Sequence, residues 1–192
     1  MRDILYVANL ADTVTPESLT ALFAEHGEVA SVEFLTDERI KVRYALVKMA
    51  AEKSATKALN SLNGHNLEGS YLAISYPEYD PQREMTSKQR KLYEAIAEAL
   101  GESDNVPLRE LEALVHVCGV SFAQAILKET EEIEGSGGLM TSDGGKRRTK
   151  GGVFFFLARY RMSRNARYIV YNRKGKLPAP TEQAEETPAE QS

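Results

Sequence analysis

Hydrophobic positions in the first half of the chain form four short β-rich runs, the third of them with period-two alternation, and recur with helical spacing in two other segments. The β-rich runs are residues 4–9, 29–34, 40–46 and 71–76. One helical segment follows Thr15, with Pro16 at its first position, and the other covers Ala50–Leu62. Short β-rich runs predict strands and helical spacing predicts helices, so the predicted order is βαββαβ. This order suits a four-stranded antiparallel sheet with two helices on one face and the other face open.

The second half of the chain has mainly helical spacing. A helix capped by Thr86 or Ser87 is predicted to end at Gly101, and a second begins near Pro107 and closes at Gly119. The residues from Ser121 to Gln124 have the form of a capping box, which predicts the start of a third helix.

The apolar run that begins at Val153 fits either a helix or a strand. Helical spacing relates Val153, Phe156, Leu157 and Tyr160, and it would place Gly151 and Gly152 at a helix N-terminus. Periodicity alone does not decide between the two structures.

These elements predict an α+β protein with two domains. The expected divisions are a ferredoxin-like βαββαβ sandwich at 1–78, a linker at 79–86, a mostly helical domain at 87–165, a basic extension at 166–176 and a disordered acidic tail at 177–192. The basic extension is expected to be either an added strand or an arm.

Composition excludes several classes of protein. The single Cys118 rules out an intramolecular disulfide, and one Cys with three His is too few for a zinc cage. His116 and Cys118 are therefore expected to be packing residues. No apolar run approaches the ~20 residues that cross a bilayer, so no membrane partner is predicted.

The sequence also lacks the patterns that support catalysis. Lys146 follows glycines as in a phosphate-binding loop, but two Arg follow it where that loop needs Ser or Thr. The sequence shows no set of residues for nucleophilic catalysis. We expect a protein that is not an enzyme and has no cofactor, metal or small-molecule substrate.

Charge is strongly segregated along the chain. The net charge is −4, yet residues 143–176 carry 11 Lys and Arg against the single Asp143. Gly, Tyr and Phe are interleaved with these charges, which favours a nucleic-acid partner over a merely solvated basic face.

Two signatures in the first domain resemble those of the RNA recognition motif family. They are Leu5-Tyr6-Val7-Ala8-Asn9-Leu10 and Val42-Arg43-Tyr44-Ala45-Leu46-Val47-Lys48-Met49, and Leu62-Asn63-Gly64 matches the lead into the last strand. The resemblance implies that aromatic side chains on the open sheet face stack on unpaired bases.

This resemblance assigns RNA contacts to Tyr6, Asn9, Tyr44 and Leu46. Leu46 stands where the family usually has a third stacking aromatic, and Arg43 replaces the usual Gly. A fold of this kind that contacts a protein instead of RNA is the alternative.

Residues from about Gln89 to Arg161 resemble the RNA-binding domain of the phosphorylated adaptor for RNA export (PHAX). The match is sharpest at Gly137-Gly138 and through Arg147-Arg148-Thr149-Lys150-Gly151-Gly152-Val153-Phe154. It implies a compact helical module that binds single-stranded RNA, with Lys150 where the family commonly has Pro.

Glycines on both sides of the basic loop would let backbone N–H groups approach a phosphate, and the arginines offer forked donors. The predicted RNA contacts here are Lys146, Arg147, Arg148, Thr149, Lys150, Gly151, Gly152 and Arg159.

The sequence therefore predicts a two-domain protein that binds single-stranded RNA by base stacking on the sheet and phosphate binding at the Gly/Arg loop. The alternatives are an adaptor whose sheet domain docks a protein partner, and a protein that binds single-stranded DNA. A short chain of this design looks prokaryotic and cytoplasmic.

Overall fold

The computed structural model describes residues 2–37, 41–79, 84–142 and 144–172. The fold is α+β, as predicted, with a sheet-and-helix domain followed by five helices. Several predicted features lie outside the described residues. They are Glu38 of the turn, Ile40 of the third strand, Asp143, part of the linker and the whole acidic tail.

The first domain contains a four-stranded antiparallel sheet with two helices and a short hairpin. Its elements are β1 Ile4–Ala8, α1 Pro16–Ala24, β2 Val29–Asp37, β3 Val42–Met49, α2 Glu52–Leu62, β4 Asn66–Leu67, β5 Ser70–Tyr71 and β6 Ala73–Ser75. The order in the sheet is β2-β3-β1-β6, and β4 pairs with β5 in a separate hairpin. The predicted last strand over 71–76 is thus divided between this hairpin and the edge strand β6.

Period-two alternation separates the two faces of the sheet. Leu5 and Val7 of β1, with Ala45 and Val47 of β3, are fully buried against the helices. Tyr6, between Leu5 and Val7, therefore lies on the opposite, open face. Thr15 caps α1 in a capping box with Ser18, as the local sequence favours.

The second domain is a compact set of helices around its own apolar core. The helices are α3 Ser87–Leu100, α4 Asn105–Cys118, α5 Val120–Gly135, α6 Lys150–Arg161 and α7 Arg164–Asn172. Thr86 caps α3, and Gly101 ends it in the left-handed conformation, both as predicted. The run from Val153 is a helix and not a strand, and Gly151 and Gly152 lie in its first turn.

The basic segment after Arg161 differs from the prediction of a strand or an arm. Residues 164–172 form α7, and its apolar side chains Ala166, Ile169 and Val170 are buried in the core of the second domain. These three residues have helical spacing, whereas Arg164 and Arg167 are exposed. Burial of the apolar stripe explains why the segment folds onto the domain.

The two domains meet at the corner between α4 and α5. Three successive carbonyls at the end of α4 accept hydrogen bonds from the first domain: His116 from Arg2 Nη2 (2.6 Å), Val117 from the backbone N–H of Tyr76 (2.9 Å) and Cys118 from Asn63 Nδ2 (3.1 Å). The first domain thereby satisfies a helix end that would otherwise leave these carbonyls unpaired.

The start of α5 is capped in the same way. Asn60 Oδ1 accepts the N–H groups of Val120 (3.1 Å) and Ser121 (3.4 Å). The predicted capping box at Ser121 is therefore wrong: α5 begins at Val120, directly after Gly119, with Ser121 inside it. Gly119 has φ +86°, which favours glycine, and an added Cβ would lie 2.8 Å from Asn60 Oδ1.

Candidate nucleic-acid interface

The open face of the sheet is centred on two stacked tyrosines. The rings of Tyr6 and Tyr44 have centroids 4.8 Å apart and an interplanar angle of 22°. Leu46 lies opposite Tyr6 in the strand register, and Leu35 lies opposite Tyr44, so all four side chains share one face. The arrangement presents the aromatic and apolar surface that stacking on a base requires.

The two tyrosines differ in accessibility. Tyr6 is 8% exposed, and Ser75, its partner on β6, is 1% exposed. Burial, with smaller effects from Tyr44 and Asp37, raises the pKa of Tyr6 to about 12, while Arg164 of the second domain acts in the opposite direction. Burial also raises the pKa of Tyr44, whose ring is only partly covered. Tyr44 is thus the more accessible of the two rings.

Asn9 and Arg43 have structural contacts around the sheet, Asn9 at the end of β1 and Arg43 on the helix side of β3, opposite to Tyr44. Asn9 has φ +59°, and its Nδ2 donates to the carbonyl of Tyr71 at 2.7 Å, which ties the end of β1 to the hairpin. The guanidinium of Arg43 donates to the carbonyls of Asp12 (3.1 Å) and Val14 and lies over the ring of Phe34. Arg43 thereby holds the loop before α1 against the sheet.

The basic loop of the second domain is a small hairpin closed by a bridge between Met140 and Arg147. Arg147 Nη2 pairs with Glu134 Oε2 at 2.7 Å, and its side chain crosses Gly138 so closely that a Cβ there would lie 2.2 Å from Arg147 Nε. Lys146 next to it is exposed. Arg147 therefore fixes the loop to α5, whereas Lys146 points its charge to solvent.

The start of α6 is already capped. Thr149 Oγ1 accepts the N–H of Gly152 at 3.0 Å. The Glu102 carboxylate packs so tightly on buried Gly151 that a Cβ there would lie 1.8 Å from Glu102 Oε1. The helix dipole favours a carboxylate near this helix end. The Glu102 carboxylate therefore lies where a phosphate was expected to approach.

Several basic side chains around α6 are paired with acidic residues on α5. Lys150 Nζ is 3.6 Å from Glu131 Oε1, and Arg161 Nη2 is 2.8 Å from Glu129 Oε1. Arg159 instead lies over the Tyr171 ring, 4.1 Å from its centroid. Much of the local positive charge is therefore compensated within the domain.

Arg148 has a different environment. Its guanidinium lies over the ring of Phe156, 4.6 Å from the centroid, and no carboxylate of the described residues pairs with it. Phe156 is 42% exposed and Tyr160, one turn further along α6, is 81% exposed. Arg148, Phe156 and Tyr160 form what we call the α6 surface.

Phe156 and Tyr160 were not among the residues predicted for the site. Helical spacing grouped them with Val153 and Leu157, yet the structure buries Val153 and Leu157 and exposes the two aromatics. Two large aromatic side chains exposed at i and i+4 are a signal that only the position of the core reveals.

Comparison with known families identifies both domains. The model for the RNA recognition motif matches residues 5–73, and the model described as the RNA-binding domain of the phosphorylated adapter RNA export protein matches residues 92–175. The chain joins an RNA recognition motif to a PHAX-type RNA-binding domain. The second match extends across α7, which confirms the resemblance seen in the sequence and places that helix within the PHAX-type domain.

Curated relatives match part of the chain. The 33 kDa chloroplastic ribonucleoprotein of Nicotiana sylvestris is 33% identical over 101 residues, which are 50% of this chain and 31% of that protein. The U2 snRNP component IST3 of Saccharomyces cerevisiae is 29% identical over 113 residues, 58% of this chain and 73% of that protein. Human heterogeneous nuclear ribonucleoprotein Q is 34% identical over 80 residues, 12% of its length. The chain thus spans less than a third of the first of these relatives.

Among solved structures, the Sex-lethal RNA recognition domains 1 and 2 of Drosophila melanogaster are 26% identical, with a TM-score of 0.35, and the match covers 45% of this chain and 54% of that one. The three curated relatives named above are eukaryotic, so they give no support to the prokaryotic origin expected from the sequence, and the compartment stays a prediction.

Two further observations concern the described part of the chain. None of its helices is long and apolar enough to span a membrane. Its His, Cys, Asp and Glu side chains form no cluster of three or more suited to a metal ion.

Proposed function

We propose that this chain binds single-stranded RNA through two surfaces, the accessible part of the RNA recognition motif sheet around Tyr44 and the α6 surface of the PHAX-type domain. The α6 surface carries the proposal, because it combines exposed aromatic rings with a guanidinium that no described carboxylate neutralises. Stacking on aromatic rings needs unpaired bases, so single strands are favoured over duplexes.

The charges around the loop refine the predicted phosphate contacts. Lys146 and Arg148 are available for a phosphate, whereas Arg147 is held by Glu134 and Lys150 lies near Glu131. An RNA phosphate that draws Arg147 away must compete with an existing ion pair. Arg148 is therefore proposed as the principal phosphate-binding arginine of the loop, and affinity should fall steeply with salt because phosphate contacts release counterions.

The test is a fluorescence-anisotropy titration of a short labelled oligouridylate with the full chain, with hairpin RNA and single-stranded DNA as competitors. Replacing both Phe156 and Tyr160 by Ala should weaken binding by about tenfold or more, as expected for lost base stacking. The control is Tyr71→Ala, which removes a tyrosine that is 66% exposed on the first-domain hairpin. Equal affinities for the double variant and this control would refute the stacking role of α6.

Arginine variants test the phosphate contacts in the same assay. Arg148→Gln should weaken binding and make the affinity less dependent on salt. The matched control is Arg109→Gln, which removes the charge of an exposed arginine on α4. Replacing both Arg147 and Arg148 by Ala is expected to weaken binding more than replacing both Tyr6 and Tyr44. The opposite ranking would move the main site to the sheet.

A second candidate function is an adaptor in which the first domain binds a protein. The observation that favours it is the covered position of Tyr6, which reduces the stacking surface of the sheet. An unchanged RNA affinity in Tyr44→Ala, together with a loss in the α6 variants, would support this adaptor function.

A further inference from the structure

The side chain of Arg164, at the start of α7, reaches the far edge of the sheet in the other domain. The second domain is attached at the opposite side, where Tyr76, directly after edge strand β6, bonds to Val117. Arg164 Nη1 nevertheless lies 3.8 Å from Asp37 Oδ2, at the end of the other edge strand, β2. Three strand spacings, about 14 Å, separate these edges.

This contact puts the guanidinium of Arg164 at the open face. Asp37 lies opposite Val42 in the register and shares its face with Leu35 and Tyr44. The burial of Tyr6 and Ser75 on the β1–β6 half of the face agrees with cover from the second domain, and the Arg164 charge acts on the Tyr6 phenol. The β2–β3 half, with Tyr44 and Leu46, stays partly accessible.

The accessible half of the face carries negative charge, which disfavours the binding of RNA. Glu33 lies opposite Leu46 and Asp37 lies at the strand end, so two carboxylates border the Tyr44 ring, and both contribute to its raised pKa. A phosphate placed there is repelled unless a cation accompanies it. Arg164, whose side chain is 52% exposed, supplies that cation from the other domain.

We propose that Arg164 and Tyr44 together hold one nucleotide of the bound RNA, with the base on the Tyr44 ring and the phosphate on the Arg164 guanidinium. The nucleotide lies where the strand passes from the sheet to the PHAX-type domain. The hydrogen bonds at the α4–α5 corner fix the two domains, so the composite site is preorganised. This inference rests on the proposed RNA binding and adds to it a contact that crosses the domain boundary.

The experiment compares Arg164→Gln with Arg167→Gln in the full chain, using the same labelled oligouridylate. Both variants remove one exposed positive charge from α7, but only Arg164 pairs with Asp37 across the sheet. Arg164→Gln should lower the affinity about fivefold more than Arg167→Gln and reduce the salt slope by about one unit. Combined with Tyr44→Ala, its effect should be smaller than the product of the single effects, because one nucleotide contacts both groups.

Three outcomes would overturn the inference. Equal affinities for the Arg164 and Arg167 variants would make the ion pair purely structural. Tighter binding by Arg164→Gln would make Arg164 a competitor of RNA for the sheet. Independent effects of Arg164 and Tyr44 would place them on different nucleotides. If Arg148→Gln still weakens binding in these cases, RNA binding by the α6 surface stands, whereas a wild-type chain that binds no RNA refutes both proposals.

Discussion

Replacing Asn60 by Ala removes the acceptor that caps α5 from the other domain. Asn60 Oδ1 receives two backbone N–H groups, those of Val120 and Ser121, and Val120 is buried. Loss of an N-cap acceptor costs about 1 kcal/mol, and a buried N–H without a partner adds to this cost. We therefore expect Asn60→Ala to lower the free energy of unfolding by about 1–2 kcal/mol.

The measurement is urea denaturation of the full chain, followed by far-ultraviolet circular dichroism. Asn60→Asp is the matched control, since it keeps an acceptor oxygen and adds a negative charge at a helix N-terminus, where such a charge is favourable. The control should retain most of the wild-type stability. An unchanged stability in Asn60→Ala, or equal losses in both variants, would refute the cap as the source of the stabilisation.

Three other predictions concern a titrating tyrosine, a glycine and a surface carboxylate. The Tyr6 pKa is about 12 in the folded chain and about 10 when unfolded, so its stabilisation is complete below about pH 10 and is lost as the pH rises toward 12. In alkaline denaturation, Tyr6→Phe should lack this loss of about 2 kcal/mol, and an identical pH profile would contradict the burial of the phenol. Gly138→Ala should lower the melting temperature more than Gly144→Ala. Both glycines have a positive φ, but of the two only Gly138 is in close contact with Arg147, so equal shifts would exclude the steric effect. Asp37→Asn should strengthen oligouridylate binding more than Glu33→Gln, because it removes a carboxylate and also releases Arg164 from its ion pair. Weaker binding by Asp37→Asn would contradict this explanation.

Local signals predicted much of the fold from the sequence. The caps at Thr15 and Thr86 act within three residues of themselves, and the alternation of side chains along β1 places Leu5 and Val7 on one face and Tyr6 on the other. These features depend on short-range geometry, which the sequence displays directly.

The cap of α5 was not predictable in this way. Ser121 to Gln124 has the form of a capping box, but Asn60 supplies the acceptor from sixty residues away in the chain. Tertiary contacts of this kind override a local preference, and no sequence pattern around Gly119 indicates them. The helix α7 had a usable signal in the spacing of Ala166, Ile169 and Val170, which the basic charge obscured.

The candidate site was only partly predictable for a related reason. Arginines in a basic loop look equivalent in sequence, but Glu134 holds Arg147 while Arg148 lies on Phe156. Spacing likewise defined a face of α6 without showing which side the core would occupy. Partners from distant elements decide which side chains remain accessible.

The shared corner at Gly119 has a consequence for the order of folding during synthesis. Residues Asn60, Asn63 and Tyr76 leave the ribosome before α4 and α5, and domains generally fold as units from the N-terminus. An already folded first domain then offers preformed hydrogen-bonding groups to the later helices and acts as a template for their junction. Damage to the first domain would therefore appear as misfolding of the second, even where the sequence of the second is intact.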